Sequence, residues 1–191
     1  YVLLGLFVFM VAVPLFWMVA TALKTNKDLY EDFSYLPTKP TLQHFIRVIT
    51  REDLLTNIWN SFAVASVTTT VTVLVSAFAA FSIVRYRYWG RDWVGRLILF
   101  KYLLPTAMLF VPLYAIVVGL GLGNTLKSLM LTYLSFTVPF CTWMLMGYFR
   151  SIPPELEEHA MVDGCTKIGA LFRILLPLSA PGIVASAIFS F

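Results

Sequence analysis

Residues 150–177 read RSIPPELEEHAMVDGCTKIGALFRILLP, a charged interval set between two apolar runs. Ser151 is expected to cap a helix that begins near Pro153 or Pro154. Glu155, Glu157 and Glu158 load its first turns, where the positive end of the helix dipole favours carboxylates. Leu156, Ala160 and Met161 offer a narrow apolar stripe, and Gly164 is placed for the left-handed geometry that ends a helix. Beyond Thr166, a second expected N-cap, Ile168, Leu171, Phe172 and Leu175 recur at i, i+3, i+4 and i+7 until Pro177 stops the pattern. The expectation is helix, turn, helix, with one apolar face held against the protein and another offered to a partner.

The flanks of this interval decide the class. The 191 residues are 59% hydrophobic and 13% charged, with a mean hydropathy of +0.81. Residues 1–23, 62–84, 102–118 and 128–149 are apolar runs close to the length a helix needs to cross a bilayer, and a fifth run covers 178–191. A chain this short could not bury four such helices on every side in water. The reading is an all-α polytopic membrane protein: one transmembrane domain over residues 1–191, four complete spans and the start of a fifth. Tyr1 in place of a start methionine and a last residue inside an apolar run are expected limits of a fragment. Residues 1–23 have neither a basic leader nor a small-residue cleavage site, so a span is preferred there to a signal peptide.

The formal charge of +4 comes from short loops and gives no reason to expect nucleic acid. Loops 85–101 and 150–173 hold eight Lys and Arg, against six in 24–58 and 119–127, which assigns the first pair to the cytoplasm. The basic and aromatic stretch RYRYWGR at 85–91 then reads as a cytoplasmic anchor. Cys141 and Cys165 form no disulfide framework, and His44 and His159 are too far apart in sequence to pair at a metal, so packing or surface roles are expected for both histidines.

The other segments obey the same logic. Pro14 is a candidate kink in the first run, with Trp17 near its exit. In the charge-balanced segment 24–58, Leu42, Phe45, Ile46 and Ile49 predict a short amphipathic helix. Small and hydroxyl residues through 62–84 place the second span inside a bundle. Thr69 there, and Tyr133 and Thr137 in the fourth run, are candidate solute-pathway residues; interhelical hydrogen bonding is the competing role for the same hydroxyls. Pro105 and Pro112 predict a bent or locally opened third span, and Pro139 a kink in the fourth. GLGLGN at 119–124 comes after a membrane helix rather than a strand, so it is a tight turn and not a dinucleotide fingerprint, with Asn124 or Thr125 as the next cap.

Glu158, His159, Ala160, Gly164, Ile174, Leu176 and Pro177 stand at the spacing of the EAA signature, and the sequence here resembles the membrane subunits of binding-protein-dependent ABC importers. IPPELEE at 152–158, Asp163 with Gly164, and LPLSAPG at 176–182 resemble the carbohydrate branch, in particular maltose-type permease subunits. The likeness extends to the 85–90 loop, to PLYAIVVGLGLGNT at 112–125 and to VPF at 138–140. His159 departs from it, since the family usually has alanine there.

The resemblance implies six spans in the full chain and a bacterial or archaeal inner-membrane location. It also implies a coupling helix seated in a cleft of an ATP-binding subunit, with Glu158 facing basic residues there. Asp163 and Gly164 would shape the turn, while Ile174, Leu176 and Pro177 seat the loop against the spans; His159 brings a titratable ring near the contact. The implied partners are an ATP-binding subunit dimer, a homologous second permease subunit, an extracytoplasmic solute-binding protein and membrane lipid, with no nucleic acid. ATP and Mg are used by the partner subunit, and no cofactor, metal or ATPase site is expected in this chain.

The implied function is ATP-driven import of a sugar or related polar solute; a permease for glycerol phosphate or an amino acid is the alternative. A secondary transporter predicts ionisable residues deep in the spans and inverted repeats, whereas the charges here cluster at span ends. An intramembrane enzyme would need paired acids, Ser/His or metal ligands within the spans.

Overall fold

The computed structural model describes residues 1–30, 36–37, 39–50 and 52–191, and every regular element among them is helical. Glu31, Asp32 and Arg51 of the charge-balanced segment lie outside the described residues. Two compact units emerge, Tyr1–Ile58 and Trp59–Phe191.

In the first unit, α1 (Val2–Ala22) runs unbroken through Pro14. At its exit the Lys24 ammonium lies 4.7 Å from the centre of the Trp17 ring. Beyond the short α2 (Asn26–Tyr30), α3 (Gln43–Thr50) is the expected amphipathic helix, with Phe45, Ile46 and Ile49 exposed. Two contacts tie this segment to the end of α1: the Thr41 amide donates to the Leu23 carbonyl at 2.9 Å, and His44 Nε2 lies 3.0 Å from the Lys24 carbonyl. His44 thus has the packing role expected of it.

The second span belongs to a longer helix, α4 (Glu52–Arg85), which starts ten residues before the apolar run. Its small residues let other helices approach closely: Ala77 and Ala80 are buried, and Thr72 and Ser76 are fully covered.

The third run is divided. α5 (Arg91–Leu103) ends at Leu104, whose φ of −69° and ψ of 131° are extended, and α6 (Thr106–Gly119) begins after Pro105. The proline ring excludes helical geometry from the residue before it, so Pro105 opens the chain while Pro112 sits within α6 without a break. At 14 residues, α6 spans about 21 Å, short of a ~30 Å hydrocarbon core.

The turn after α6 closes as a Schellman motif: Gly121 takes φ 71°, its amide reaches the Val118 carbonyl, and Leu122 reaches Val117. Thr125 then caps α7 (Leu126–Ser151), its Oγ1 accepting from the Ser128 amide at 3.3 Å. α7 carries Pro139 inside it without interruption and packs against α5.

Next in the chain are α8 (Glu155–Val162) and α9 (Lys167–Leu178), α9 containing a π turn at Leu171–Leu175. Here two expectations fail. Ser151 does not cap α8; it is the last residue of α7, and its hydroxyl donates to the Tyr148 carbonyl at 2.7 Å. Nor does Pro177 stop the second helix. The wider π turn just before it accommodates the ring, and α9 continues to Leu178. The break comes at Ser179, where α9 and α10 (Ala180–Ser190) meet at 79°. Among the described residues three helices, α1, α4 from Asp53 and α7, are long and apolar enough to cross a membrane, or four if α9 and α10 count as one bent span.

The core of the second unit gathers Ala77, Ala80, Phe81 and Ile83 of α4, Leu145, Met146, Phe149 and Ile152 at the end of α7, and Leu171 and Leu175 of the π turn. The charged interval is therefore rooted in the best-buried part of the protein.

Candidate functional site

An eight-residue helix is too short to be stable on its own in water, so α8 depends on what holds it. Its C-terminal end is a complete Schellman motif. Gly164 adopts φ 87°, its amide donates to the Met161 carbonyl at 3.1 Å, and the Cys165 amide donates to Ala160 at 2.9 Å. Thr166 then caps α9, its Oγ1 accepting from the Gly169 amide at 3.0 Å. The turn between the helices is thereby fixed at both ends by backbone hydrogen bonds.

The inward face of α8 is not the apolar stripe expected from sequence. Leu156 is 43% exposed and Met161 37%, whereas Glu157 is 3% exposed. Its Oε1 accepts from Arg85 Nε at 2.6 Å, and the two side chains are only 4% and 10% exposed. Arg85 also donates from a terminal guanidinium nitrogen to the Ile152 carbonyl at 2.8 Å. One arginine at the end of α4 thus ties α8 to α4 and closes the end of α7. Lys167 adds a further cation, with Nζ 3.4 Å from the Arg85 carbonyl and 4.2 Å from the centre of the Tyr86 ring. It sits where the carbonyls of α4 run out of amide partners, a favourable place for positive charge.

This anchoring decides which residues face outward. Glu158 and His159 are exposed, with Asp163 and Gly164 beside them, and Ala160 is half-covered. Val162 is 85% exposed and Ile168 56%, giving the charged edge an apolar border. Ile174 and Leu176 are partly covered and Pro177 is exposed; Leu171 and Leu175 are fully buried and seat α9. The expected i, i+3, i+4, i+7 stripe therefore splits, Leu171 and Leu175 facing the core while Ile168 and Phe172 remain exposed. The π turn covers Leu171–Leu175, where each residue turns through a smaller angle than in an α-helix, so a spacing drawn for a regular α-helix does not locate both faces.

The candidate solute-pathway residues are not brought together as a group. Thr137 Oγ1 donates to the Tyr133 carbonyl at 3.0 Å and lies 2.7 Å from Thr72 Oγ1. A hydroxyl has one proton, so Thr72 is the donor in that pair. Tyr133 is 46% exposed, and Thr69 keeps a buried hydroxyl with no hydrogen-bond partner among the described residues.

Arg85, Glu157 and Lys167 are the anchoring residues that sequence reasoning missed. The available signal was an arginine directly after an apolar run together with three glutamates on a helix only two turns long, at least one of which had to face inward.

Residues 72–191 match the family described as binding-protein-dependent transport system inner membrane component. The chain belongs to that family. As members of it are, this is a multi-pass inner-membrane protein. Among curated relatives, it is 38% identical over 179 residues to the sulfoquinovosyl glycerol transport system permease protein SmoH of Agrobacterium fabrum, covering 93% of this chain and 63% of that protein. It is 32% identical to the trehalose/maltose transport system permease protein MalG of Thermococcus litoralis, over 93% of this chain and 64% of the relative. The chain thus spans less than two thirds of the length of these relatives. Its fold resembles that of a bacterial ABC transporter involved in the import of the acidic polysaccharide alginate, with a TM-score of 0.75 and 21% identity over 99% of this chain and 66% of the other.

Proposed function

We propose that this chain is a membrane-spanning subunit of an ATP-driven importer for a sugar or related polar solute, and that α8 with its flanking turn couples it to a separate ATP-binding subunit. The observation that carries the reading is the division of labour between adjacent glutamates: Glu157 is buried on Arg85 while Glu158 and His159 are exposed. A helix held from behind and charged in front suits docking into a cleft lined with basic residues. Asp163 and Gly164 shape the exit turn, Ala160 packs behind the exposed edge, and Ile174, Leu176 and Pro177 belong to the helix that returns the load to the spans.

In this reading residues 1–191 are one permease domain, with 150–177 on the cytoplasmic side. ATP and Mg bind to the dimeric ATP-binding subunit, and this chain has no hydrolytic site of its own. A homologous second permease subunit completes the pathway, with Thr69, Tyr133 and Thr137 as solute-pathway positions, and an extracytoplasmic binding protein delivers the solute. Support for a sugar comes from the relatives, whose names specify sulfoquinovosyl glycerol and trehalose or maltose. Rigid-body closure of the ATP-binding dimer would move α8, and the buried ion pair would carry that motion into α4.

The test is charge reversal at an exposed position. Glu158→Lys should lower both co-purification of the ATP-binding subunit and uptake of labelled sugar by about tenfold or more, because like charges across an interface cost several kcal/mol. Membrane insertion should be unchanged. If assembly and uptake both match the wild type, the coupling assignment fails.

A further inference from the structure

Lys101 has no part in the site above. From sequence it belongs with the charged loop 85–101, but α5 is already ten residues long when it is reached, which carries it about 15 Å from Arg91 along the helix axis. Its ammonium donates to the backbone carbonyl of Ser135 and lies 4.2 Å from the centre of the Phe136 ring, both on α7. Ser135 lies 16 residues before the end of α7, about 24 Å along the axis. The rule that the charges cluster at span ends therefore does not hold for Lys101: the length of α5 places its ammonium against the interior of a spanning helix. A cation so placed needs a specific partner.

The partner is explained by Pro139. In an α-helix the carbonyl of Ser135 accepts from the amide four residues later, and residue 139 is a proline with no N–H. α7 nevertheless continues through it. Two further donors reach the same turn from α4: Ser76 donates to the Val138 carbonyl at 3.1 Å, and Thr72 to Thr137 Oγ1 at 2.7 Å. Thr132, Ser135 and Thr137 all turn their hydroxyls back onto carbonyls of α7 itself, a pattern that bends helices. The proline turn is thus weakened from within and clamped from two neighbouring helices.

We propose that Lys101 is a positioning residue that substitutes for the missing amide of Pro139, and that this bond holds the proline turn of α7 in place against α5 during transport. The cation supplies what a neutral donor would not, since it both satisfies the carbonyl with a charge-assisted bond and rests on the Phe136 ring. The proposed transport function supplies the setting, but the geometry makes a prediction that does not need it: returning an amide at position 139 makes the lysine dispensable.

The experiment is a double-mutant cycle in the assembled transporter in lipid nanodiscs, read by hydrogen exchange in residues 126–151 and by sugar uptake per ATP hydrolysed. Lys101→Met should speed exchange around Ser135 to Phe140 by about tenfold or more, as expected for loss of a hydrogen bond to a charged group. It should lower the uptake-to-hydrolysis ratio several-fold while leaving subunit assembly intact. Lys101→Met combined with Pro139→Ala should return both readouts to within about threefold of Pro139→Ala alone. If Lys101→Met does not assemble, comparison of Pro139→Ala with the double variant decides the matter, equality supporting the proposal and a tenfold difference overturning it. Wild-type exchange in Lys101→Met would also overturn it. Exchange that tracks the cycle in a transporter that moves no sugar would uphold the positioning role and refute the proposed function instead.

Discussion

Replacing Glu157 by alanine leaves the Arg85 guanidinium, whose side chain is 10% exposed, with the Ile152 carbonyl as its remaining hydrogen-bond partner. Removing one member of a buried ion pair costs about 3–5 kcal/mol, because a charge stays behind without its counter-charge. The loss should fall on α8 before the rest of the protein, since an eight-residue helix has little stability of its own and the core of α4, α7 and α9 does not include it. If about 3–4 kcal/mol of local protection disappears, hydrogen exchange in residues 155–163 should accelerate by two to three orders of magnitude, at about 1.4 kcal/mol per tenfold.

Glu157→Gln keeps an acceptor of the same shape and should cost less than Glu157→Ala by about 1.5–3 kcal/mol, the worth of the hydrogen bond to a charged group that it retains. The double variant Arg85→Gln with Glu157→Gln should cost less than the two singles added together, by about 1.5 kcal/mol or more, because the second replacement removes a charge already stranded. The assay is exchange measured by mass spectrometry on the purified complex, alongside retention of the ATP-binding subunit. Exchange in Glu157→Ala within about threefold of wild type, or strict additivity in the double variant, would refute the view that this pair anchors α8.

Two backbone predictions address the remaining supports. Gly164→Ala places a side chain at φ 87°, a left-handed conformation that costs an L-residue about 1–2 kcal/mol; proteolysis between residues 162 and 167 should become faster, and an unchanged rate would argue against the strain. A Cβ on Gly182 would stand 2.4 Å from a carbon of the Tyr148 ring. Gly182→Ala should therefore force α10 off α7 and lower the thermal midpoint of the complex, at about 1–3 kcal/mol, with partial recovery when Tyr148→Ala makes room. A Gly182→Ala complex as stable as wild type would mean the two helices have space to shift.

The features legible in the sequence rest on short-range chemistry. Gly164 and Thr166 mark the turn after α8 because left-handed backbone and an N-cap each require particular residue types at one position. The amphipathic α3 and the cap at Thr125 were readable for the same reason, and so was the all-helical membrane class, because backbone polar groups in lipid must bond within their own segment. The chain's own signature at 158–177 was sufficient by itself to suggest the importer family.

The features that only the tertiary structure decided involve residues far apart in the chain. In α8 the sequence shows a narrow apolar stripe at Leu156, Ala160 and Met161, yet Glu157 is the buried residue of that helix because Arg85, 72 positions earlier, supplies its counter-charge. Lys101 read as one more loop cation until α5 carried it to a carbonyl exposed by Pro139. The break at Ser179 depends on a π turn that accommodates Pro177, which no regular period would reveal. In each case the local sequence shows a group with an unmet need, a charge, a missing amide or a displaced ring, and only the packing of other helices determines what meets it.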